Sequence, residues 1–437
     1  MKKSQKHILT VLCIASLFAV VLTGCSKKEA ATTTSAAQST TTTTQQAPAK
    51  ATAEVKVTDL ADGLYYAAGD EFESSGWKSV VFLTVKGGKI TDADWNAVNV
   101  NGGADKKTYD KAGKYRMVAY GKAQAEWYQQ AEKVEQYLIS TQDPTKITYT
   151  DGEHTDAISG ATISVNDFFT LAQKALANGP VTPGTWQDGT YFAISDSYGS
   201  SGWKEYVSLN VLHGVIVGAN WSAINRTGDD KKPYDKAGKY GMMAKSKAKA
   251  EWYQQAEKVE QYLISTQDPT KITYTDGAHT DAISGATITV SEFFELAQEA
   301  LAAGPIAIGP YTDGGYYAQA DDFGSSGWKS FVSLLVRNGN IVNVYWSGWN
   351  KDGAITEDKQ TYAAAGKYNM KAAGAIAEWD VQAQAAEQYL LKTQDLSTIV
   401  LKDNGHSDSI SGATISVSDF VKLAQAALDA GVIKYTK

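Results

Sequence analysis

Chemistry that depends on thiols is largely absent from this sequence. Its 437 residues include two cysteines, Cys13 and Cys25, and both lie close to the N-terminus. The remaining chain therefore excludes a disulfide, a thiolate metal site and a Cys-X-X-Cys-His haem attachment. Basic runs are lacking too, and the formal net charge is −7. An acidic chain without basic patches is a poor candidate for binding nucleic acid, so no nucleic-acid partner is expected.

Long apolar runs are also missing, with one short exception near the N-terminus. Residues 8–21 are mostly apolar, follow three lysines and lead into Leu22-Thr23-Gly24-Cys25. The run is too short for a comfortable membrane span, and its layout is typical of an export signal. The tetrapeptide resembles the bacterial lipobox, whose cysteine receives diacylglycerol. We expect residues 1–24 to be a lipoprotein signal peptide and Cys25 to be lipidated; the alternative is an ordinary signal peptide with an incidental cysteine.

The segment that follows the cleavage site has low complexity. Residues 25–54 are rich in Thr, Ala and Gln and contain a single proline. They have too little apolar surface to fold, which indicates a disordered tether. Multiple acyl chains anchor a protein stably in a lipid membrane. The expected location is therefore extracytoplasmic, on the outer face of the cell membrane, or on the periplasmic or outer-membrane side if the envelope has two membranes.

The rest of the chain repeats with a period of about 125 residues, which suits whole domains and is too long for a solenoid. Gly-Pro pairs mark the joints between the copies. We predict domains at 55–180, 181–305 and 306–437. The recurring segments are Ser-Gly-Trp-Lys from residues 75, 201 and 326, Ala-Gly-Lys-Tyr from 112, 237 and 365, and Ser-Gly-Ala-Thr from 159, 284 and 411.

Each repeat switches between the strand and helix periods. In the first repeat this pattern predicts a strand, a hairpin, a helix, a further strand and a final helix. Hairpins with helices at the edges indicate an α+β fold with a mainly antiparallel sheet and flanking helices in each repeat. The predicted elements are a strand at 63–67, hairpin strands at 79–85 and 90–95, a helix around 127–138, a strand at 146–149 and a helix at 165–177.

One segment near the end of each repeat has the most distinctive chemistry. It reads Asp-Ala-Ile-Ser-Gly-Ala-Thr-Ile-Ser at 156–164 and recurs with small changes at 281–289 and 408–416. Ser164 and Asp167 fit a capping box that would make Ser164 the N-cap of the final helix. Thr289 with Glu292, and Ser416 with Asp419, repeat this arrangement in the other two copies. Free N–H groups at that end, preceded by Gly and Ala, would suit a phosphate carried by Thr162. No base lies beside the hydroxyl in sequence, so attachment would require a separate enzyme.

This segment resembles the attachment signal of the FMN-binding domain family, Asp-x-x-Ser/Thr-Gly-Ala-Thr. That family includes the C and G subunits of the sodium-pumping NADH:quinone reductase and of Rnf complexes, as well as flavinylated extracellular electron-transfer lipoproteins. In the family, a dedicated flavin transferase joins FMN to the final threonine through a phosphoester. All three copies match the signal in full, so the resemblance implies three tandem FMN-binding domains.

The resemblance also implies the site residues. The FMN-attachment positions are Thr162, Thr287 and Thr414. The adjoining cofactor-binding residues are the triplets Ser159, Gly160, Ala161; Ser284, Gly285, Ala286; and Ser411, Gly412, Ala413. The transferase would read Asp156, Asp281 and Asp408. No catalytic residue is assigned. No metal is expected, because one histidine per repeat does not make a metal cluster.

The implied function is electron carriage between a membrane donor, such as a quinol or an NADH dehydrogenase, and an extracellular acceptor or partner reductase. A redox carrier fits better than a stand-alone enzyme, since no nicotinamide fingerprint is present and the repeats leave no room for another catalytic domain. A reductase module for a small extracellular acceptor remains a third reading. The main alternative is a surface binding or adhesion lipoprotein whose repeated domains carry no cofactor.

Other recurring side chains have simpler interpretations. We interpret His154 and its two equivalents as loop histidines, with flavin tuning as the less favoured alternative. Trp77 and its equivalents are expected to pack in the core rather than stack on a flavin, and Trp127 belongs to the apolar stripe of its helix. The pairs Lys106-Lys107 and Lys231-Lys232 are predicted to be solvated charges, with guidance of a phosphate or an acidic partner as the alternative.

Overall fold

The structure, a computed structural model, describes residues 60–436. The predicted signal peptide, Cys25 and the tether lie outside these residues. Within the described range, no helix combines the length and apolar character needed to cross a membrane. The described chain consists of three similar units, each with an antiparallel sheet flanked by helices, which confirms the α+β prediction.

Each sheet is built on three consecutive antiparallel strands. The first sheet has the order β3-β2-β1-β4, the second β5-β6-β7 and the third β10-β9-β8. The predicted strand and hairpin of the first repeat are confirmed, with longer hairpin strands than expected. The strands are β1 Gly63–Ala68, β2 Trp77–Lys86, β3 Lys89–Asn99, β4 Pro180–Val181, β5 Gly189–Ile194, β6 Trp203–Leu212, β7 Val215–Asn225, β8 Gly314–Gln319, β9 Trp328–Arg337 and β10 Asn340–Asn350.

Helices cover one face of each sheet. In every unit, a long middle helix packs on the third strand and the last helix packs on the first two strands. The helices are α1 Lys106–Lys111, α2 Met117–Gly121, α3 Trp127–Thr141, α4 Asn166–Asn178, α5 Lys231–Lys236, α6 Met242–Lys245, α7 Trp252–Thr266, α8 Ser291–Ala303, α9 Lys359–Ala364, α10 Trp379–Thr393 and α11 Ser418–Ala430.

The central strand of each sheet is buried on both faces. In β2, Val81 and Leu83 pack toward the helices, whereas Val80 and Phe82 pack on the opposite side, which we call the back face. Alternate side chains of a strand point to opposite faces, so a nearly continuous apolar run requires that both faces be covered. The helices of the same unit cover one face, and a neighbouring unit covers the other.

The units stack with the same relation twice. The hairpin β6–β7 of the second unit packs Leu212 and Val215 on the back face of the first sheet. The hairpin β9–β10 of the third unit packs Leu335 against Tyr206 and Ile224 of the second sheet. The chain also crosses at the joints, because Val181 pairs with Leu64 and Ile306 forms a bridge with Thr190.

Residues 146–149 are not a strand, contrary to the prediction. The segment is extended, but its carbonyl groups accept hydrogen bonds from side chains instead of a neighbouring strand. The hydroxyl of Tyr137 donates to Lys146 O at 3.0 Å, and that of Thr155 donates to Thr148 O at 2.7 Å. Because these bonds satisfy the backbone locally, the β-branched pattern does not produce sheet pairing.

Candidate functional site: three threonines held by buried glutamines

The three predicted threonines occupy equivalent and exposed positions. Each precedes the last helix of its unit. A buried alanine comes before each threonine, and an isoleucine that is buried in the first two units and half-buried in the third comes after it. The preceding glycine has a positive φ of 78° at Gly160, 79° at Gly285 and 88° at Gly412. Residues with a Cβ rarely adopt this conformation, so the turn that presents the threonine requires glycine at this place.

A buried glutamine from the middle helix holds each threonine. The side-chain oxygen of Gln130, 1% exposed, accepts hydrogen bonds from Thr162 N at 2.7 Å and from Thr162 Oγ1 at 3.1 Å. In the other units, Gln255 holds Thr287 at 2.7 and 3.1 Å, and Gln382 holds Thr414 at 2.8 and 3.0 Å. An ester at the hydroxyl would remove only the Oγ1 bond, whereas the backbone bond would remain.

Sequence reasoning missed these glutamines. Each one is the fourth residue of a long helix whose Trp, Ala, Val or Leu positions form the apolar stripe. The glutamine could have been noticed in the sequence as a polar residue on the apolar face of the helix, because a buried amide needs hydrogen-bond partners. The amide nitrogen of the glutamine donates to a backbone carbonyl, for example Gln130 Nε2 to Ala125 O at 2.9 Å. The middle helix, to which the sequence assigned no role, thus positions the threonine that is predicted to carry FMN.

The expected capping box at Ser164 is wrong. The N-cap of α4 is Val165, and no side chain caps that helix. Val165 is fully buried and its N–H donates to Glu153 O at 2.8 Å, so core packing places the valine at the helix start. The Ser164 hydroxyl bonds instead to Asn166 Oδ1 at 2.8 Å. The phosphate-binding position near Thr162 was predicted from a helix that begins at Ser164, and the structure does not have that helix start.

The equivalent capping boxes of the other units fail for a related reason. Val290 and Val417 are the N-caps of α8 and α11, again without a side-chain cap. The acidic residues expected to complete the boxes bind serines beside the sheet: Glu292 accepts from Ser195 Oγ, and Asp419 accepts from Ser330 Oγ at 3.0 Å. A real capping box lies at α3, between Glu126 and Gln129.

A lysine lies beside the attachment glycine in the first two units. Lys133 Nζ donates to Gly160 O at 3.3 Å. A Cβ on Gly160 would approach Lys133 Nζ to 2.3 Å, and one on Gly285 would approach Lys258 Nζ to 2.2 Å. These positions are a glycine cradle beside a cation, which suits an anionic group close to the threonine. The third unit has Ala385 instead of the lysine, at 3.7 Å from the corresponding Cβ.

The lysine pairs at the start of α1 and α5 are not solvated, which contradicts the prediction. Lys107 Nζ lies 2.6 Å from both Asp94 and Glu135, and Lys232 Nζ lies 2.5 Å from Glu260. Their neighbours stack on aromatic rings; Lys106 Nζ is 4.2 Å from the centre of the Trp127 ring, and burial lowers its pKa to about 8. The acidic partner of each pair offsets the free-energy cost of removing the lysine charge from water.

The third unit replaces this second lysine with Gln360. Its amide donates to Glu387 Oε1 at 2.8 Å, and Trp346 N donates to the same oxygen at 2.7 Å. Glu387 thus lacks the adjacent lysine that faces Glu135 and Glu260. Burial raises the pKa of Glu387 to about 7.

The tryptophans and the loop histidine lie where the structural interpretations placed them, in the core and in a loop. Trp77 and Trp127 are 6% and 4% exposed and pack in the first unit. His154 is partly exposed, with Nδ1 2.8 Å from Asp151 Oδ2, as expected of a loop histidine. Asp156 and its equivalents, which the transferase is predicted to read, are all exposed; the others are Asp281 and Asp408. The described residues contain no cluster of three metal-ligating side chains.

Comparisons with known proteins identify the family of the first unit. A family model described as FMN-binding domain matches residues 76–177. A solution NMR structure of a protein from Clostridium thermocellum is 60% identical, covering 27% of this chain and 92% of that one, with a TM-score of 0.23. A crystal structure of a Clostridium perfringens protein is 31% identical, covering 28% and 88%, also with a TM-score of 0.23. No curated protein matches this chain.

Proposed function

Because this chain belongs to the FMN-binding domain family, we propose that it is a membrane-anchored, extracytoplasmic electron carrier that holds FMN covalently on Thr162, Thr287 and Thr414. Family membership makes FMN its cofactor. The observation that carries the finer proposal is the threonine–glutamine contact, which occurs three times with nearly equal distances. Each unit presents an exposed threonine whose backbone N–H is held by a buried glutamine.

The residues around the threonine fit a flavin phosphoester. The hydroxyl is exposed, the glycine allows close approach, and Lys133 or Lys258 supplies a cation near the phosphate in two units. The flavin supplies the electron-transfer chemistry when bound, while the chain sets its exposure and its electrostatic surroundings. The glutamine fixes the threonine backbone before and after esterification, so the site is preorganised for the transferase.

Attachment needs an activated flavin donor. The threonine oxygen would form the new bond to phosphorus, the hydroxyl would lose its proton, and a phosphoanhydride bond of the flavin nucleotide would break to release a nucleoside monophosphate. Gln130 is the polar side chain bonded to the Thr162 hydroxyl, and an amide is no general base at neutral pH. The flavin transferase must therefore supply the base, which makes it a required maturation partner.

The proposed carrier accepts electrons from a membrane donor, a quinol or an NADH dehydrogenase, and passes them to an extracellular acceptor or partner reductase. Lipidation of Cys25 would keep it at the membrane. Covalent attachment suits this location, because a dissociated flavin would be lost by dilution outside the cell. Three sites on one chain provide for several electrons on a single carrier.

The direct test is covalent flavin on the three threonines. The full-length chain is expressed with a flavin transferase, denatured and examined for flavin fluorescence that stays with the protein. Peptide mass spectrometry should find the mass of FMN minus water on Thr162, Thr287 and Thr414. Thr287→Ala should remove about a third of the label, whereas Thr289→Ala, an exposed threonine two residues later, should retain all of it.

Replacing all three attachment threonines by alanine should abolish the label. Flavin that is released on denaturation would contradict covalent attachment while leaving FMN binding intact. A protein without flavin after expression with the transferase would overturn the carrier proposal and favour a surface adhesion protein.

A further inference from the structure

Two of the three attachment sites have the same local sequence and different surroundings. In the first unit, the exposed side of α3 and residues Ala157–Ser159 line a shallow cavity of about 640 Å³. The equivalent residues of the second unit, on α7 and at Ala282–Ser284, have identical side chains. They line a larger cavity of about 990 Å³, which is closed on its other side by the first unit.

The wall contributed by the first unit contains an aromatic ring and a buried cation. Residues 70–72, in the loop between β1 and β2, and Lys78 of β2 line the same cavity as Ala282–Ser284. Phe72 is 37% exposed, so part of its side chain is accessible to a ligand. Lys78 is only 5% exposed, and its Nζ lies 4.8 Å from the centre of the Phe72 ring.

The Lys78 side chain is mostly buried, and its ammonium group has no direct polar partner in the described residues. Within residues 60–436, its Nζ has no hydrogen bond and no ion pair. The equivalent lysine of the second unit, Lys204, donates to Asn343 Oδ1 of the third unit at 3.1 Å. Burial lowers the pKa of Lys78, and the acidic groups that oppose this effect from a distance are Glu260, Glu71 and Asp70. An ammonium group at the wall of a cavity, without a direct protein partner, is a candidate contact for an anionic ligand.

We propose that the cleft between the first and second units binds the isoalloxazine ring of the flavin on Thr287, with Phe72 packed on the ring and Lys78 beside its carbonyl edge. Ala282–Ser284, three to five residues before Thr287, form part of the cleft wall, and a volume of about 990 Å³ is large enough for a flavin ring. A second cavity of about 590 Å³ contains Trp77 but no residue of an attachment segment in its lining. This inference rests on the proposed covalent attachment.

The cleft would make chemically identical sites inequivalent. Uptake of two electrons with one proton leaves a flavin negatively charged, so a cation beside the ring favours the reduced form. The flavin on Thr287 would be shielded from solvent and would face Lys78. The flavin on Thr162 would lie on an open surface with the same local side chains and without that lysine. The second unit would therefore hold electrons more tightly than the first.

The test compares single-flavin proteins. One variant keeps only Thr287, through Thr162→Ala and Thr414→Ala; the other keeps only Thr162, through Thr287→Ala and Thr414→Ala. Mass spectrometry first establishes the flavin on each. Midpoint potentials and quenching of flavin fluorescence by iodide are then measured. We expect the Thr287 flavin to have the more positive potential and the weaker quenching.

Lys78→Met should then change the reduction equilibrium of the Thr287 flavin about tenfold toward the oxidised form, which is about 30 mV for a two-electron couple. The potential of the Thr162 flavin should not change, because Lys78 lies on the back face, away from that flavin's own site. Lys78→Arg should restore most of the potential and shows that the site is intact. Lys329→Met, at the same position of the third unit, is the matched control and should have no effect.

Three outcomes are distinguishable. Equal potentials and equal quenching for the two single-flavin proteins would overturn the cleft and leave covalent attachment standing. The same would follow if Lys78→Met shifted both flavins alike, since a general structural effect would then explain it. Absence of covalent flavin from both proteins would overturn the attachment proposal and this inference together.

Discussion

Glu387 is the buried acid whose ionisation should cost the third unit most stability. It is 6% exposed and accepts hydrogen bonds from Trp346 N and Gln360 Nε2. Burial raises its pKa to about 7 from the ordinary 4.5. Between these pH values, the folded protein binds more protons than the unfolded chain. The free energy of unfolding should therefore fall as the pH rises from about 4.5 to about 7.

The size of this effect follows from the two pKa values. The difference between about 7 and 4.5 corresponds to about 3 kcal/mol. Glu387→Gln removes the titrating group and keeps the shape of the side chain. Its stability relative to the natural protein should therefore improve by about 3 kcal/mol between pH 4 and pH 8. Gln360→Lys should reduce this pH dependence, because the added cation would lower the pKa of Glu387; burial still raises the pKa of Glu135 and Glu260, which have such a lysine.

Native-state hydrogen exchange of α10, followed on peptides that cover 379–393, measures the stability of this unit separately from the others. The matched control is Glu260→Gln, which leaves Lys232 buried without its partner and should destabilise the second unit at pH 8. A difference between Glu387→Gln and the natural protein that is the same at pH 4 and pH 8 would refute the reasoning, since no buried carboxylate would then be ionising.

Two further predictions concern the attachment site and the contact between units. Gln255→Leu removes the acceptor of Thr287 N, so the free energy of unfolding of the second unit should fall by about 1–3 kcal/mol, measured by hydrogen exchange. Peptide mass spectrometry should find less flavin on Thr287 and unchanged flavin on the other two threonines. Full labelling of Thr287 would show that the glutamine does not position it. His213 Nε2 lies 3.0 Å from Asp94 Oδ2 of the first unit, and that hydrogen bond is the largest cause of its raised pKa. The contact should stabilise the protein fully below about pH 6.5 and weaken as the pH rises through the folded pKa of His213. His213→Asn should therefore abolish this pH dependence of the free energy of unfolding. An unchanged pH profile in the variant would exclude the His213–Asp94 pair as its source.

Local patterns determined much of the fold. The two strand-forming runs at 79–85 and 90–95, joined by a glycine-containing turn, predicted the hairpin. The steps of three and four after Trp127 predicted the middle helix, because the helical side-chain period follows from backbone geometry. The threefold repeat of Ser-Gly-Ala-Thr identified the segment that presents the threonine. These features depend on neighbours within a few residues of each other, so the sequence by itself contains them.

Features that depend on distant partners were decided only by the tertiary structure. Lys107 is only partly exposed and pairs with Asp94 of a strand and Glu135 of another helix, and Gln130 reaches Thr162 across 32 positions of chain. The start of α4 is fixed by burial of Val165, which overrides the local capping signal of Ser164. The contrast between the first two attachment sites has the same origin. The residues beside the two proposed sites are identical, and the first unit adds a second wall only to the cavity at Ala282–Ser284, because burial depends on what packs against a surface.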